Sequence, residues 1–314
     1  MSDAPNQTTG DRNATDLPPL ERPWHARMAM LVRDKFALVA AIYLVIVAFF
    51  AIFGPALLGD VATAMNLRQR NAPPFSFEHG WLYVLGADAL GRSILARIIV
   101  AAQNTLAIAA AAVCVAVLVG GTLGLIAGFR GGWVGEVIMR VADIVMSFPS
   151  LLLAVVVLYM FEPRVSNMVL VLAFTRVPVY LRTTRAEVLE IRERLFVSAA
   201  RVMGAGAIRI ALRHLAPIVV PTLVTVATLD FAFVMLAESA LSFLGVGIQP
   251  PEITWGLMVA QGRNYLSSAW WLAFWPGLAI MLTTMALNLL SSWVRIATDP
   301  VQRWRLEVPA KADG

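Results

Sequence analysis

Six long apolar stretches constrain this chain more than any other feature of its sequence. The first, 36–53, holds no charged residue and is about long enough to cross the ~30 Å hydrocarbon core of a bilayer. The other five are predicted at 97–129, 136–161, 166–182, 217–243 and 270–296. Because backbone polar groups inside a membrane must bond within their own segment, each stretch is expected to be helical. The sequence predicts an all-α integral membrane protein with six transmembrane helices.

The composition agrees with a membrane protein. Hydrophobic residues make up 59% of the chain and charged residues 14%, whereas soluble domains carry about 25% charged residues. Cys114 is the only cysteine, so no disulfide can form within the chain, and it is predicted to be a small buried apolar residue. Gly120, Gly124 and Gly128 recur every four residues in the second span, which predicts close packing against another helix.

Three prolines are expected to shape the spans. The first span is predicted to end at Gly54-Pro55. Pro149 is predicted to bend the third span, because proline cannot donate the backbone hydrogen bond of a regular helix. Pro217 is predicted to open the fifth span. The fourth span is expected to continue as a cytoplasmic helix to residue 193.

The distribution of lysine and arginine predicts the orientation in the membrane. Six spans place both termini on one side. Of the 25 Lys and Arg residues, 18 lie in the termini and loops of that side, 6 lie in the opposite loops, and Arg176 lies within a span. Positive residues are enriched in cytoplasmic loops, so both termini and the loop 182–213 are predicted to be cytoplasmic. Because the arginines flank apolar spans, they indicate topology and lipid contact, and no nucleic-acid partner is expected.

The chain divides into four predicted regions. Residues 1–26 are polar and are expected to form a disordered cytoplasmic tail with no signal peptide. Residues 27–94 are predicted to hold the first transmembrane helix and an external loop. Residues 95–300 are predicted to form the main transmembrane domain, and 301–314 a second cytoplasmic tail.

A polar helical hairpin is predicted at 196–216, within an otherwise apolar chain. Its first helix carries the small residues Ser198, Ala199 and Ala200, which would let another surface approach closely. The sequence Gly-Ala-Gly at 204–206 permits a sharp turn. In the second helix Arg209 and Arg213 are predicted to share one face, and a second, apolar face is predicted to comprise Ile208, Leu212 and Leu215.

The sequence lacks the motifs of nucleotide hydrolysis and of common enzymes. A phosphate-binding loop needs a lysine after a glycine-rich turn, and neither Lys35 nor Lys311 follows one. The three histidines are scattered, and there is no HExxH pair or GxSxG motif. We therefore expect no catalytic residue, no metal site and no cofactor bound by this chain, which is predicted not to be an enzyme.

Three further stretches carry a resemblance to a known family. They read LGADALGRS at 85–93, AGFRGGWVGEVIMRVADIVMSFPSLLLA at 127–154 and LAESALSFLGVGIQPPEITWG at 236–256. Together with the hairpin, they resemble the C-type permease subunit of dipeptide and oligopeptide ABC importers. The likeness covers nearly everything from 27 to 303, and it is specific as a set of motifs.

The resemblance implies a fold, a location and a set of partners. The fold would be that of type I ABC importer permeases, in the bacterial inner membrane. A second, B-type permease would complete the translocation path, and two ABC ATPases would bind and hydrolyse ATP with Mg. A periplasmic or lipid-anchored binding protein would deliver the solute. Related permeases import dipeptides, oligopeptides, glutathione or nickel, so the solute stays open at this point.

The resemblance also implies that the hairpin is the ATPase-coupling motif. Ala199, Ala200 and Gly204 match that motif, and Ser198 replaces its usual glutamate. Ala216 takes the usual place of a leucine, before the matching Pro217. The other coupling candidates in the hairpin are Arg201, Ala205 and Arg209. The alternative is an amphipathic loop on the inner membrane surface, with its arginines near anionic lipids.

Three charged residues within the spans are candidates for a substrate path or gate. Arg176 could either snorkel to the membrane interface or present a positive charge to a substrate carboxylate. Asp230 and Glu238 could line the path, or they could pair with groups on neighbouring helices. Since a secondary transporter or channel also needs ion-coupling residues, these two carboxylates keep that alternative open.

Asp88, Gly91 and Arg92 precede the second span on the predicted outer face. One interpretation is a helix entrance with Asp88 as the capping residue. The other is an external contact of all three residues with the binding protein or the second permease.

Overall fold

The computed structural model describes residues 30–76 and 80–298, and within these ranges the chain is almost entirely helical. The helices are α1 (Lys35–Thr63), α2 (Ile94–Arg130), α3 (Gly132–Met146), α4 (Ser150–Met160), α5 (Val165–Ile191), α6 (Leu195–Val202), α7 (Ala207–Ile210), α8 (Ala216–Phe243), α9 (Trp255–Gly262) and α10 (Trp271–Thr298). Ala87 and Ser93 form an isolated β-bridge. Both predicted tails, 1–26 and 301–314, lie outside the described residues.

Five helices of the described part are long and apolar enough to cross a membrane, and a sixth span exists if α3 and α4 are counted together. The predicted bend of the third span at Pro149 is confirmed, and it is sharp enough to divide the helix, because the chain leaves helical geometry at Phe148 and Pro149. The two halves meet at 85°. The backbone of Pro149 is extended, and its ring nitrogen has no proton to continue the helix.

The first helix does not end at Gly54-Pro55, as the sequence suggested, and continues to Thr63. It begins where the side chain of Asp34 accepts hydrogen bonds from the backbone of Phe36 and Ala37. Gly54 is a packing residue, because a Cβ there would lie 2.6 Å from Cγ2 of Ile99 in α2. The close contact between α1 and α2 explains why glycine stands inside this helix.

The 37-residue helix α2 forms the centre of the bundle, with α5 packed along it. A Cβ on Gly120 would lie 2.5 Å from the carbonyl oxygen of Val177, and one on Gly124 would lie 2.5 Å from that of Leu181. Gly128 approaches Val188 in the same way. The predicted packing role of the three glycines is confirmed. Cys114, on the same helix, is exposed and not buried as predicted.

The fifth span is longer than predicted, because it is continuous with the second helix of the hairpin. The run from Ala207 to Phe243 is helical throughout, so Pro217 lies inside it and does not open it. A π-helical turn at Ala211–Leu215 precedes this proline. Since Pro217 cannot donate to the carbonyl four residues earlier, a wider turn at this point is physically reasonable.

Candidate functional site

The hairpin turn is a glycine-terminated helix end. Gly204 has a φ of +82°, and its N–H donates to the carbonyl of Arg201 at 3.1 Å. The N–H of Ala205 donates to the carbonyl of Ala200 at 3.0 Å. These two bonds are those of a Schellman motif, which requires a left-handed residue after the helix. Gly206 has an ordinary φ of −66°, so only the first glycine of the turn needs its conformational freedom.

The outer surface of the hairpin carries an apolar patch among exposed polar and charged residues. Val202 and Met203 at the turn are 88% and 81% exposed. Leu195, Ile208 and Leu212 are also strongly exposed, and Phe196 is exposed to a smaller extent. The predicted apolar face of the second helix is therefore not a buried face, since only Leu215 of its three members is buried. We call Leu195, Val202, Met203, Ile208 and Leu212 the hairpin surface.

The coupling candidates differ in exposure. Most of them are exposed beside the hairpin surface: Ser198, Ala199, Arg201, Gly204, Arg209 and Pro217. Ala205 is half-buried. Ala200 is buried together with Val197, so these residues hold the first hairpin helix against the rest of the chain. The small exposed residues therefore form a surface that a partner's backbone can approach closely.

The hairpin is held in position by a bond across its base. Arg192, which follows α5, donates from a terminal guanidinium nitrogen to the carbonyl of Gly128 at 2.9 Å. This carbonyl lies in the last turn of α2, where backbone acceptors lack helical partners. Ile210 and Leu215 add apolar packing, since both are buried in the core. The base of the hairpin is fixed while its turn is exposed.

Arg176 and Asp230 form an ion pair between α5 and α8. The Nε of Arg176 donates to Oδ2 of Asp230 at 2.9 Å, and a second guanidinium nitrogen bonds Oδ1. The guanidinium also lies 4.4 Å from the ring centroid of Phe233. The charge of Arg176 is directed at Asp230 on a neighbouring helix, and whether it also snorkels to the membrane interface stays a prediction. Asp230 takes the predicted alternative of pairing with another helix.

Glu238 is fully buried and bonded within its own helix. The hydroxyl of Ser242 donates to its Oε1 at 2.8 Å, and that of Ser239 lies 3.4 Å from Oε2. Helix α9 packs tightly here, since a Cβ on Gly256 would lie 2.5 Å from Cα of Ser239. This environment supports the structural interpretation of Glu238.

At the end of the bundle opposite the hairpin, Asp88 organises a buried polar cluster. It accepts from the backbone N–H groups of Leu90 at 2.8 Å and Arg92 at 2.9 Å. Its other oxygen accepts from the Nε of Arg92 at 2.7 Å and from a nitrogen of Arg97. Asp88 is therefore not the helix cap, and the hydroxyl of Ser93 caps α2 instead. The predicted capping role of Asp88 is wrong.

Arg97 is a member of this cluster that the sequence reasoning missed. Its side chain is buried, and it also donates to Oε1 of Gln261 in α9 at 3.1 Å. An arginine in the first turn of a long apolar helix was the available signal. Gly91, at φ +74°, is placed so that any Cβ would overlap the backbone of Asn66. Asp88 and Gly91 thus face the chain itself, and Arg92 keeps partial exposure.

The fold is that of a helical membrane protein with an exposed hairpin between two long helices. The family described as binding-protein-dependent transport system inner membrane component matches residues 120–303. The chain belongs to this family, whose fold is that of the type I ABC importer permeases. A second model, the N-terminal transmembrane domain of oligopeptide transport permease C, matches residues 22–74.

Named relatives extend the match over most of the chain. The di/tripeptide transport system permease protein DppC of Pseudomonas aeruginosa is 36% identical over 296 residues, which cover 94% of this chain and 96% of that protein. The dipeptide transport system permease protein DppC of Escherichia coli K12 is 40% identical over 286 residues, which cover 90% and 94%. The DppC protein of Alkalihalophilus pseudofirmus is 36% identical over 278 residues, which cover 88% and 90%.

Proposed function

We propose that this chain forms, with a second permease, the path by which di- and oligopeptides cross the bacterial inner membrane. The relatives named for dipeptide and di/tripeptide transport support the solute class. Two ABC ATPases supply the energy by hydrolysing ATP with Mg, and a binding protein delivers the peptide. The excess of Lys and Arg on the hairpin side supports a cytoplasmic hairpin and cytoplasmic termini.

The hairpin is the surface on which an ATPase docks. Its turn offers Val202 and Met203 as exposed apolar groups, and Ser198 and Ala199 leave room beside them for a partner's backbone. Exposed apolar patches with a polar surround mark interaction sites. Ser198 stands where the resembled motif has a glutamate, so shape and apolar contact carry the docking in place of a carboxylate.

The observation that carries this proposal is the unbroken helix from Ala207 to Phe243. The run includes the π-helical turn at Ala211–Leu215 but has no non-helical break, so a displacement of the hairpin is passed along it to the membrane-spanning part. On the other side of the hairpin, α5 ends at Ile191, only a few residues before α6 begins at Leu195. Closure of the two ATPases would push the hairpins together and turn the path from inward-facing to outward-facing.

The turn residue Gly204 provides the test. A Cβ at Gly204 meets nothing within 4 Å in this chain, but the φ of +82° makes any other residue strained by about 1–2 kcal/mol. Gly204→Asp is expected to assemble with its partners and to keep ATP hydrolysis. It also places a carboxylate beside the apolar turn, so peptides moved per ATP should fall roughly tenfold or more.

Gly206→Ala is the matched control. Its φ of −66° suits alanine, and a Cβ there also meets nothing within 4 Å. Uptake per ATP by this variant should stay within about twofold of the wild type. Both quantities are measured on the complete transporter in proteoliposomes. Normal coupled uptake by Gly204→Asp would show that the ATPases do not act on the permease through this turn.

A further inference from the structure

The Arg176–Asp230 pair lies at membrane depth on the two helices that frame the hairpin. Arg176 is 11 residues from the Val165 end of α5, or ~16 Å, and Asp230 is 13 residues from the Phe243 end of α8, or ~20 Å. Both positions are therefore near the middle of a hydrocarbon core of ~30 Å. Charged side chains at this depth are costly and commonly mark a transport route.

The two partners differ in access. The side chain of Arg176 is 18% exposed and that of Asp230 is 5% exposed. Phe233, whose ring lies against the guanidinium, is itself exposed on α8. The guanidinium is covered on one face by the Phe233 ring and keeps partial exposure elsewhere, whereas the carboxylate is almost fully buried. A ligand anion can reach Arg176 first, and its arrival would release Asp230.

The pair is also connected to the hairpin on both sides. Asp230 belongs to the helix that runs from Ala207 without interruption, and Arg176 belongs to the helix that ends just before the hairpin begins. A displacement of the hairpin therefore moves the helices that carry the two charges. Separation of α5 from α8 would break the pair, which costs much less if both charges find new partners at that moment.

The geometry points to this pair as the site in the path that recognises a solute carrying both an ammonium and a carboxylate, as the free termini of a peptide do. The peptide carboxylate binds Arg176, and the peptide ammonium binds Asp230. One ion pair is exchanged for two, so no buried charge is left unpaired. Without solute the two side chains bind each other and keep α5 and α8 together. This inference rests on the proposed function.

The test uses the complete transporter in proteoliposomes, with the dipeptide that the wild type takes up fastest from a panel of free dipeptides. Three variants are compared: Arg176→Gln, Asp230→Asn and the two together. Each single variant leaves a buried charge unpaired, so both a structural and a recognition role expect a loss of uptake. The double variant separates the two roles, because it removes the charges without leaving either one alone.

A recognition site requires the double variant to assemble and hydrolyse ATP, and to move at least roughly tenfold fewer peptides per ATP than the wild type. If the pair has only a structural role, the double variant should move peptides per ATP at a level within about twofold of the wild type. That recovery would overturn the inference. Failure of the double variant to assemble would overturn it as well, because the pair would then be needed for the fold.

The pair Arg182–Asp143 provides the matched control, since it is an ion pair between α5 and α3 that is half-exposed to solvent. The double variant Arg182→Gln with Asp143→Asn should transport within about twofold of the wild type. An equal loss in this control would contradict a special role for Arg176 and Asp230. If the wild type itself takes up no dipeptide with ATP, the proposed function fails. Wild-type uptake with a normal double variant contradicts only this inference.

Discussion

At the scale of single residues, Asp88 connects three parts of the chain: the loop before α2, the first turns of α2, and α9. Its carboxylate receives two backbone N–H groups and the side chains of Arg92 and Arg97, and Arg97 continues to Gln261. Asp88 and Arg97 are both buried. A buried ion pair of this kind contributes little when both members are replaced together, but losing one member leaves the other charge unpaired.

Asp88→Asn is therefore expected to lower the stability of the chain by about 3–5 kcal/mol, because Arg97 stays charged and buried. Thermal unfolding of the detergent-purified protein measures this. Glu162→Gln is the control: Glu162 pairs with Arg164, both side chains are largely exposed, and its loss should cost less than about 1 kcal/mol. Equal unfolding temperatures for the two variants would contradict the role given to Asp88.

The sequence could place these charges on segments but could not pair them. Arg176 and Asp230 are 54 positions apart, and their contact depends on how α5 packs against α8. The same limit applies to Arg97, whose partner Gln261 is 164 positions away. The cap of α2 was missed for a local reason: Asp88 and Ser93 are both good capping residues, and the tight turn at Gly91 decides between them.

At the scale of helices, the contact between α2 and α5 depends on glycines. Gly124→Ala would bring a Cβ to 2.5 Å from the carbonyl oxygen of Leu181 and 2.6 Å from Cβ of Thr184, so α5 would have to move away. We expect a loss of about 1–3 kcal/mol in stability, as overpacking commonly causes. Thermal unfolding of the purified chain measures this change as well.

Gly277→Ala in α10 is the corresponding control. A Cβ at this glycine meets nothing within 4 Å, and alanine is the better helix former by about 1 kcal/mol. This variant should be as stable as the wild type or more so. If Gly124→Ala were equally well tolerated, the close packing of α2 on α5 would not be what holds these helices together.

The helices themselves were largely predictable, because an apolar run of sufficient length is a local signal. The ends and breaks of the helices could not be predicted, because the same residue type, proline, has different effects at different positions. Pro149 separates α3 from α4, whereas Pro55 and Pro217 lie inside helices. All three lack the same backbone donor. A wider π-helical turn precedes Pro217, and this turn could not be predicted from the local sequence.

At the scale of the whole molecule, the described chain has one end built around the buried Asp88 cluster and one end carrying the exposed hairpin surface. The family could be predicted from short motifs, and the comparisons confirm it. We propose that this chain transports only together with ATPases that act on its hairpin.

The most direct test is ATP-dependent peptide uptake by proteoliposomes that contain either this chain alone or the chain with its second permease, two ATPases and binding protein. We expect uptake by the complete assembly with ATP and Mg, and none by the chain alone, with or without an ion gradient. Dipeptide uptake by the isolated chain would contradict this expectation and indicate a self-sufficient secondary transporter or channel.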